Sequence, residues 1–260
     1  MVLGDLGSFF AEPLAFIDQA FFRVAAVLIA LCCHEWGHAF VAYRFGDDTA
    51  KRAGRLTLNP LRHLDPIGAA LMFFAGFGWA KPVPVNPYRF KGDRNKADLA
   101  VSLAGIGVNI ALFVGFTLLA AACSLFMWDR AVVDAYGLSA LISYRYNIVW
   151  SFIGGYAMED FAGLIALPWL VPVVRLAAYT ALINLNLAVF NLIPMPPLDG
   201  YHVVNDLVFK GRFQLSRRAF QICMVVVLVL AWRGYLGRIV SAAVYPAQGL
   251  LLRPIALIWG

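Results

Sequence analysis

Charged side chains are scarce in this sequence: Asp, Glu, Lys and Arg make up 14% of the 260 residues, whereas hydrophobic residues make up 62%. Soluble domains carry roughly a quarter charged residues, so the composition excludes a soluble protein and predicts an integral membrane protein. Because about 20 apolar residues cross a bilayer, the length allows an all-α bundle of roughly four to six transmembrane helices. We expect one membrane-embedded domain over residues 1–260, with a core at about 20–210 and one or more C-terminal helices at 219–260.

Cysteine is also sparse, and its placement excludes a disulfide framework. The four cysteines all lie in apolar stretches, at Cys32, Cys33, Cys123 and Cys223, where they are best explained as small buried hydrophobic residues. Residues 1–11 lack the basic region of a cleavable signal peptide, so we expect the first span to direct its own insertion. Internal repeats and low-complexity stretches are absent as well.

The net charge of +6 does not indicate a nucleic-acid surface. Most basic residues lie in short loops beside apolar segments, at about 44–62, 81–96 and 210–218, where the positive-inside rule predicts the cytoplasmic side of a membrane. We therefore expect a multi-pass protein of the cell (inner, cytoplasmic) membrane. Its expected partners are the lipid bilayer and membrane-spanning proteins or peptides, not nucleic acid, and the sequence leaves open whether it forms a homo-oligomer.

One apolar segment contains a cluster of ionisable residues. Residues 21–45 are long enough to cross a bilayer, and their second half contains His34-Glu35-Trp36-Gly37-His38. Histidines four residues apart share a helix face, so both imidazoles can bind one Zn²⁺, and Glu35 is placed to take a proton from a water that the metal activates. Ionisable groups inside a bilayer are costly and usually functional. The segment therefore predicts a hydrolytic metal site near the cytosolic face of the membrane.

A second polar feature ends the third predicted span, in the segment 191–200. Its prolines, Pro194, Pro196 and Pro197, cannot continue a helix. Asp199 would then be presented from a broken segment at the same membrane depth as the two histidines. An Asp-Gly pair is also a common turn, and His202 could replace Asp199 as a third ligand, so the residues alone leave both alternatives open.

Between the histidine motif and the proline-rich segment, the sequence predicts a segment that dips into the membrane. Residues 66–79 are apolar but too short to span, and basic residues flank them on both sides, which predicts a re-entrant segment or β-hairpin near 66–96. The segment 80–86 then predicts an extended strand, whose edge at Val83 and Val85 could pair with an extended substrate chain. An ordinary interfacial loop is the alternative.

Further spans are predicted at about 98–127, 164–193 and 219–237, and residues 149–155 suggest a half-helix or lateral flap. Asn109 is a polar group in lipid that needs a partner, either across a helix contact or at the reaction centre. We expect Asn109 or Asn191 to donate to the oxyanion formed during hydrolysis. His63 is expected at the surface or as a capping residue.

The residues His34–His38, followed later by the segment 191–200, resemble the site-2 protease family of intramembrane zinc metalloproteases. The resemblance covers about residues 20–210. It implies that His34, His38 and Asp199 bind one Zn²⁺ per chain and that Glu35 is the catalytic base. Gly105 also resembles part of the family's small-residue and asparagine motif, although Ile106 follows where the family usually has proline.

The resemblance implies hydrolysis of peptide bonds within or near transmembrane segments of membrane-anchored substrates, in regulated intramembrane proteolysis or the clearance of signal-peptide remnants. Many relatives carry a PDZ or nucleotide-binding regulatory domain, for which we expect no room here. A metal transporter is the first alternative, but a single ligand cluster without inverted repeats argues against it, and transport gives Glu35 no role. A catalytically silent protein that binds membrane helices is the second, and the intact set of four residues argues against it.

Overall fold

The computed structural model describes residues 12–75, 80–137, 162–213 and 215–233, together with isolated positions between 235 and 254. These residues form helices and loops and contain no β-strand. In chain order the helices are α1 (Pro13–Arg44), α2 (Thr49–Arg52), α3 (Pro66–Ala75), α4 (Arg94–Met127), α5 (Arg130–Tyr136), α6 (Val171–Asn191), α7 (Asp199–Val208) and α8 (Arg217–Trp232). Short 3-10 turns occur at Pro60–Arg62, Pro87–Arg89, Ala162–Leu164 and Pro168–Leu170.

Three helical segments in the described part of the chain have the length and composition to cross a membrane: α1, α4 and Pro168–Asn191, which contains α6. The all-helical membrane class is thus confirmed, whereas the predicted count of four to six spans is not. The expected C-terminal span appears as the shorter α8. The flap predicted at 149–155 lies outside the described residues.

The three long helices alternate in direction. Asp18, near the start of α1, forms a 2.5 Å ion pair with Arg175, near the start of α6. The end of α4 lies at this same end of the bundle, because Met127 packs in one cluster with Val171. At the opposite end, the backbone N–H of Lys91 donates to the carbonyl of Phe45, which joins the end of α1 to the approach of α4. All basic loops therefore lie at one end, which we call the basic end.

Small side chains are common inside the bundle, and large apolar side chains lie on its outside. Five of the eleven buried positions of α1 are alanine: Ala20, Ala26, Ala30, Ala39 and Ala42. The exposed positions of α4 carry large apolar side chains instead: Leu103, Ile110, Leu118, Leu119 and Phe126. Small residues allow close helix approach and large ones face lipid, as expected for helices that associate inside a membrane.

Proline sets helix ends at two places. Pro13 occupies the first turn of α1, where its missing N–H costs no hydrogen bond. At the other place the prediction is confirmed: α6 ends at Asn191, and α7 begins at Asp199 after the proline-rich break. Gly200 packs so tightly there that a Cβ would lie 2.4 Å from the carbonyl oxygen of Leu192.

The loops at the basic end fold into a layer, formed by residues 45–65 and 80–91, that we call the basic-end layer. Asp47 is buried and accepts a 2.6 Å hydrogen bond from the backbone N–H of Asn86. Arg55 is also buried, and its guanidinium donates to the carbonyl of Lys81 at 2.5 Å. The buried side chains of Asp47 and Arg55 therefore hold the segment 80–86 in place. From the sequence, the basic residues of this loop were explained only by membrane topology.

The β-hairpin predicted near 66–96 is not confirmed. Residues 66–75 form α3, positions 76–79 lie outside the described residues, and the β-contact of this region is one bridge between Leu64 and Ala80. Of the two alternatives for His63, the surface position is wrong and the capping position is confirmed: its side chain is 1% exposed, and it is the C-terminal cap of the turn Pro60–Arg62. The Nε2 of His63 bonds to the carbonyl of Thr57 at 2.7 Å. The backbone carbonyl of His63 also accepts from the N–H of Lys81, so this histidine anchors the start of the segment 80–86.

Candidate metal centre

Three side chains meet between α1 and the start of α7. The Nε2 atoms of His34 and His38, one turn apart on α1, lie 3.0 Å from each other. The Oδ2 atom of Asp199 lies 3.3 Å from the Nε2 of His34 and 3.4 Å from that of His38. In the part of the chain that the structure describes, this is the one group of three such side chains close enough to share an ion.

Hydrogen bonds from the far side of each ring fix the proton on Nδ1. The Nδ1 of His38 lies 2.7 Å from the backbone carbonyl of Val101, which can only accept. The Nδ1 of His34 lies 2.6 Å from the Oδ1 of Asn109. Because both Nδ1 atoms donate, both Nε2 atoms present lone pairs to the point where Asp199 arrives.

The orientation of Asn109 follows from a chain of bonds that starts on α6. The carbonyl of Thr180 accepts from the Nδ2 of Asn184 at 2.8 Å, which turns the Oδ1 of Asn184 toward α4. That oxygen accepts from the Nδ2 of Asn109 at 2.7 Å, so the Oδ1 of Asn109 faces His34. A backbone carbonyl on α6 therefore decides the tautomer of a histidine on α1, through two buried amides.

The three atoms that face one another fit a zinc ion. Two neutral Nε2 lone pairs and a carboxylate oxygen are all acceptors, and the Oδ2 of Asp199 is buried without a hydrogen-bond partner in the described residues. Such a cluster is unfavourable unless a cation lies among its members. Ligands bound tetrahedrally to Zn²⁺ at roughly 2.0–2.1 Å lie about 3.3 Å from one another, close to the separations seen here. Two imidazoles and one carboxylate are also a common donor set for catalytic zinc.

Two glycines let α1 and α4 approach closely enough to bury the imidazoles. A Cβ on Gly105 would lie 2.5 Å from the Nε2 of His38 and 2.6 Å from the Cε1 of His34. A Cβ on Gly37 would lie 2.9 Å from a methyl group of Val108. The imidazoles therefore occupy the volume that any side chain at position 105 would need.

Glu35 lies beside the cluster but outside it. Its Oε2 accepts a 2.7 Å hydrogen bond from the backbone N–H of Val83, in the segment 80–86. Pro82 and Pro84 have no N–H to donate, and the N–H of Val85 has no partner among the described residues. The structure thus brings the predicted catalytic base into direct contact with the segment predicted as a substrate strand, although residues 81–86 form no β-strand.

Three other predicted residues have different surroundings. Asn109 is fully buried, and its Nδ2 contacts both Asn184 and, at 3.4 Å, the carbonyl of Ala30, so these contacts favour an orienting role over donation to an oxyanion. Asn191 is buried at the end of α6, and no hydrogen bond in the described part joins its side chain to the cluster. His202 is half-exposed, lies 3.6 Å from Asp98 and is not part of the cluster.

Sequence reasoning missed Asn184, Arg55 and Asp47. Asn184 had a usable signal, because a fully buried amide in an apolar span needs a partner for the same reason as Asn109. Arg55 and Asp47 had no usable signal, because charged residues in a basic loop are ordinarily exposed. The positive-inside rule already explained the arginine.

A helical membrane core with a buried cluster of two histidines and one aspartate defines a membrane protein with a metal centre of the zinc-peptidase kind. The chain belongs to peptidase family M50, whose family model matches residues 22–233, which confirms the resemblance to the site-2 proteases. It is 39% identical over 210 residues to the candidate zinc metalloprotease YwhC of Bacillus subtilis, covering 80% of this chain and 79% of that one.

A second relative, the candidate zinc metalloprotease Rip2 of Mycobacterium tuberculosis, is 32% identical over 225 residues, covering 84% of this chain and 70% of that one. The Rip2 of Mycolicibacterium smegmatis is 29% identical over 195 residues, covering 73% of this chain and 58% of that one. No solved structure matches the chain. The family, the relatives and the cluster together make zinc the cofactor.

Proposed function

We propose that the protein is an intramembrane zinc metalloendopeptidase of the HExxH type, which hydrolyses peptide bonds within or near transmembrane segments of membrane-anchored substrates. Its role would be regulated intramembrane proteolysis or the clearance of signal-peptide remnants. The observation that carries the proposal is the convergence of two fixed imidazole lone pairs and a carboxylate oxygen, with a further carboxylate at Glu35 beside them. Membership of family M50 supports it.

In this proposal His34, His38 and Asp199 hold the zinc. When bound at such a site, zinc supplies Lewis acidity that activates water and polarises a carbonyl. Asn109 and the carbonyl of Val101 keep the two imidazoles in the tautomer that can bind a metal. Because such supporting bonds also fix the ring planes, the centre is arranged before a substrate arrives.

Glu35 is the proposed general base. It would accept the proton of the attacking water and return it to the nitrogen of the leaving amine. The N–H of Val83 holds the Oε2 of Glu35, which fixes the plane of the carboxylate. The Oε1 atom has no hydrogen-bond partner among the described residues and is the oxygen left to accept the proton.

The substrate must be extended at the cleaved bond, because a helix hides its backbone groups. Few donors of the segment 80–86 remain for a paired substrate strand. The N–H of Lys81 bonds to His63 and that of Asn86 bonds to Asp47. The N–H of Val83 bonds to Glu35. Pairing would therefore use the N–H of Val85, which has no partner among the described residues.

The membrane side of the site is also part of the proposal. Asp199 follows the end of α6, and the basic loops lie at that same end of the bundle. The positive-inside rule favours the cytosol for this end, in the inner (cytoplasmic) membrane. We assign residues 1–260 to a single membrane-embedded metalloprotease domain, and the family match over residues 22–233 supports its core.

The test is a Glu35→Gln variant, assayed in proteoliposomes with a tagged single-span membrane substrate. We expect cleavage to fall by on the order of 10²–10⁴-fold because proton transfer is lost, with the zinc content per chain unchanged. Glu12→Gln is the matched control, because Glu12 is exposed and far along α1 from the site. Unaltered cleavage by Glu35→Gln would reject the proposed mechanism.

A further inference from the structure

A separate polar cavity opens at the basic end, next to the metal cluster. It has a volume of about 300 Å³ and lies between the start of α4 and the end of α7 with the turn that follows. Asn95 and Asp98 line it from α4, and Asp206 and Gly211 line it from the other side. Neither the family match nor the proposed mechanism gives this cavity a role.

Asp206 is the unusual member of this lining. It is only 4% exposed, and its Oδ2 has no hydrogen-bond partner among the described residues. Buried carboxylates are normally paired, because an unpaired buried charge is costly. Burial and the nearby charge of Asp98 raise the pKa of Asp206 to about 6, with His202 opposing the shift. The cavity therefore contains negative charge that the protein itself does not balance.

Asn95 adds a second acceptor oxygen close to Asp206. The Nδ2 of Asn95 donates to the backbone carbonyl of Asp206 at 3.0 Å, which leaves its Oδ1 directed elsewhere. A Cβ on Gly211 would lie 2.7 Å from that Oδ1 and 3.5 Å from the Oδ1 of Asp206. The oxygens thus converge on the space that glycine leaves at position 211, and a group with several N–H donors would satisfy them.

Two basic residues on the lining do not neutralise these carboxylates. The guanidinium of Arg94 lies over the ring of Tyr88, 4.2 Å from its centre. Lys210 is exposed, and in the described part of the chain neither residue forms an ion pair with Asp98 or Asp206. The nearest cationic partner of Asp98 is His202, at 3.6 Å.

The cavity is placed to meet a substrate. Asp199 and Asp206 are seven residues apart on α7, so they share one face, about 10 Å apart along the axis. An extended chain covers about 10 Å in three residues. A substrate with its cleaved bond at the metal cluster would thus bring a residue about three positions away to the cavity.

We propose that this cavity is a substrate subsite that binds a lysine or arginine side chain about three residues from the cleaved bond, on the flank of the membrane segment. The inference rests on the proposed function and specifies its substrate class. A cavity of about 300 Å³ accommodates a long side chain and is much larger than a bare ion needs. Cytoplasmic flanks of membrane proteins carry an excess of lysine and arginine, so the required residue is common in membrane substrates.

The test compares two series of single-span substrates in proteoliposomes with zinc-loaded enzyme. One series carries a single lysine at each flank position in turn, and the other carries glutamine there. For the wild type we expect kcat/KM to favour lysine by roughly tenfold at one or two adjacent positions, the size of a charge-assisted hydrogen bond in a partly wet site. In Asp206→Asn and Asp98→Asn this ratio should fall toward one, with zinc content unchanged.

Asp93→Asn is the matched control, because Asp93 starts the same helix, lies outside the cavity and can be replaced as a cap by asparagine. It should keep the wild-type ratio. Equal cleavage of the lysine and glutamine series by the wild type would overturn the subsite while leaving the proposed function intact. Unaltered cleavage by Glu35→Gln would instead overturn the proposed function. A preference that appears only with added Ca²⁺ or Mg²⁺, and vanishes in Asp206→Asn, would show a metal site and overturn the subsite.

Discussion

Helix α7 carries two carboxylates on one face, and their surroundings are opposite. Asp199 meets two imidazoles whose far sides are held by Asn109 and by the carbonyl of Val101. Asp206 meets no donor for its Oδ2 among the described residues. The Oδ2 of Asp199 also lacks a hydrogen-bond donor, but it faces two imidazole nitrogens, whereas no imidazole pair faces Asp206. A set of three convergent acceptors suits a resident ion, whereas a single unpaired carboxylate suits a ligand that arrives and leaves. The same helix therefore joins the metal cluster, proposed to hold a resident ion, to the cavity at Asp206, proposed to bind a substrate side chain.

The largest expected effect is on zinc content, which should differ between variants of Asp199 and Asp206. Asp199→Asn removes the proposed anionic ligand, so we expect the zinc content to fall well below one per chain and cleavage to fall by on the order of 10³-fold or more. Asp206→Asn should keep its zinc. Metal analysis of both purified variants measures the difference, and equal zinc contents would break the contrast between the two carboxylates.

The next largest effect should come from disturbing the packing of Gly105 against the two imidazoles. Gly105→Ala would force a methyl group to within 2.5 Å of the Nε2 of His38, so the rings must shift and zinc affinity should fall by at least tenfold. Gly107→Ala is the matched control on the same helix, because a Cβ there meets nothing within 4 Å. A competitive zinc titration measures both, and equal affinities would mean that the close approach of α1 and α4 is not needed.

The hydrogen-bonded chain from the carbonyl of Thr180 to the ring of His34 is called the amide relay below. Its loss should have a smaller effect on zinc affinity. Asn109→Leu removes the acceptor for the Nδ1 proton of His34, so we expect zinc affinity to fall by roughly 10–100-fold. Asn186→Leu, on α6, serves as control, because its side chain bonds only within its own helix, to Leu182. Zinc retention at wild-type affinity in Asn109→Leu would remove the relay from the account of the centre.

The segment 80–86 offers a test without metal loss. Val85→Pro removes the N–H proposed to pair with substrate, and we expect kcat/KM to fall several-fold, roughly 1 kcal/mol for the lost hydrogen bond. Val83→Pro should also lower kcat/KM, because it removes the N–H that holds Glu35. Val85→Ala keeps the N–H and is the control. Full activity in the double proline variant, with zinc present, would discard strand pairing.

The smallest expected effect is on pH dependence. The pKa of Asp206 is raised to about 6, so its negative charge is present above that pH and is lost as the pH falls through it. We therefore expect the preference for a lysine substrate over a glutamine one to decline between pH 7 and pH 5. The Asp98 carboxylate raises the pKa of His202, so His202 gains its positive charge at a higher pH than a free imidazole and acts in the same direction.

Arg94 lies over the ring of Tyr88 and Lys210 is exposed, and neither forms an ion pair with Asp98 or Asp206 in the described part of the chain. Using the ratio of the two substrates removes any pH dependence that both substrates share. A ratio that rises as the pH falls would contradict the assigned role of Asp206.

Local patterns in the sequence predicted part of the metal cluster, and the resemblance to the site-2 proteases supplied the choice of Asp199 over His202. Helix periodicity alone places His34 and His38 together, and proline chemistry alone predicts that the helix breaks before Asp199. Contacts between elements distant in sequence were beyond such patterns. The burial of His63 depends on a layer that forms only when residues 45–65 meet residues 80–91. The bond between Glu35 and Val83 has the same origin, since nothing local to either residue specifies it.

The relay from Thr180 to His34 has a consequence for assembly. Its first oxygen belongs to a backbone on α6, its middle amide to α4 and its last ring to α1. A newly inserted chain therefore lacks a defined imidazole tautomer until all three helices have docked side by side. Because metal affinity and folding are coupled in such sites, zinc binding at the proposed site would depend on complete docking of the three helices.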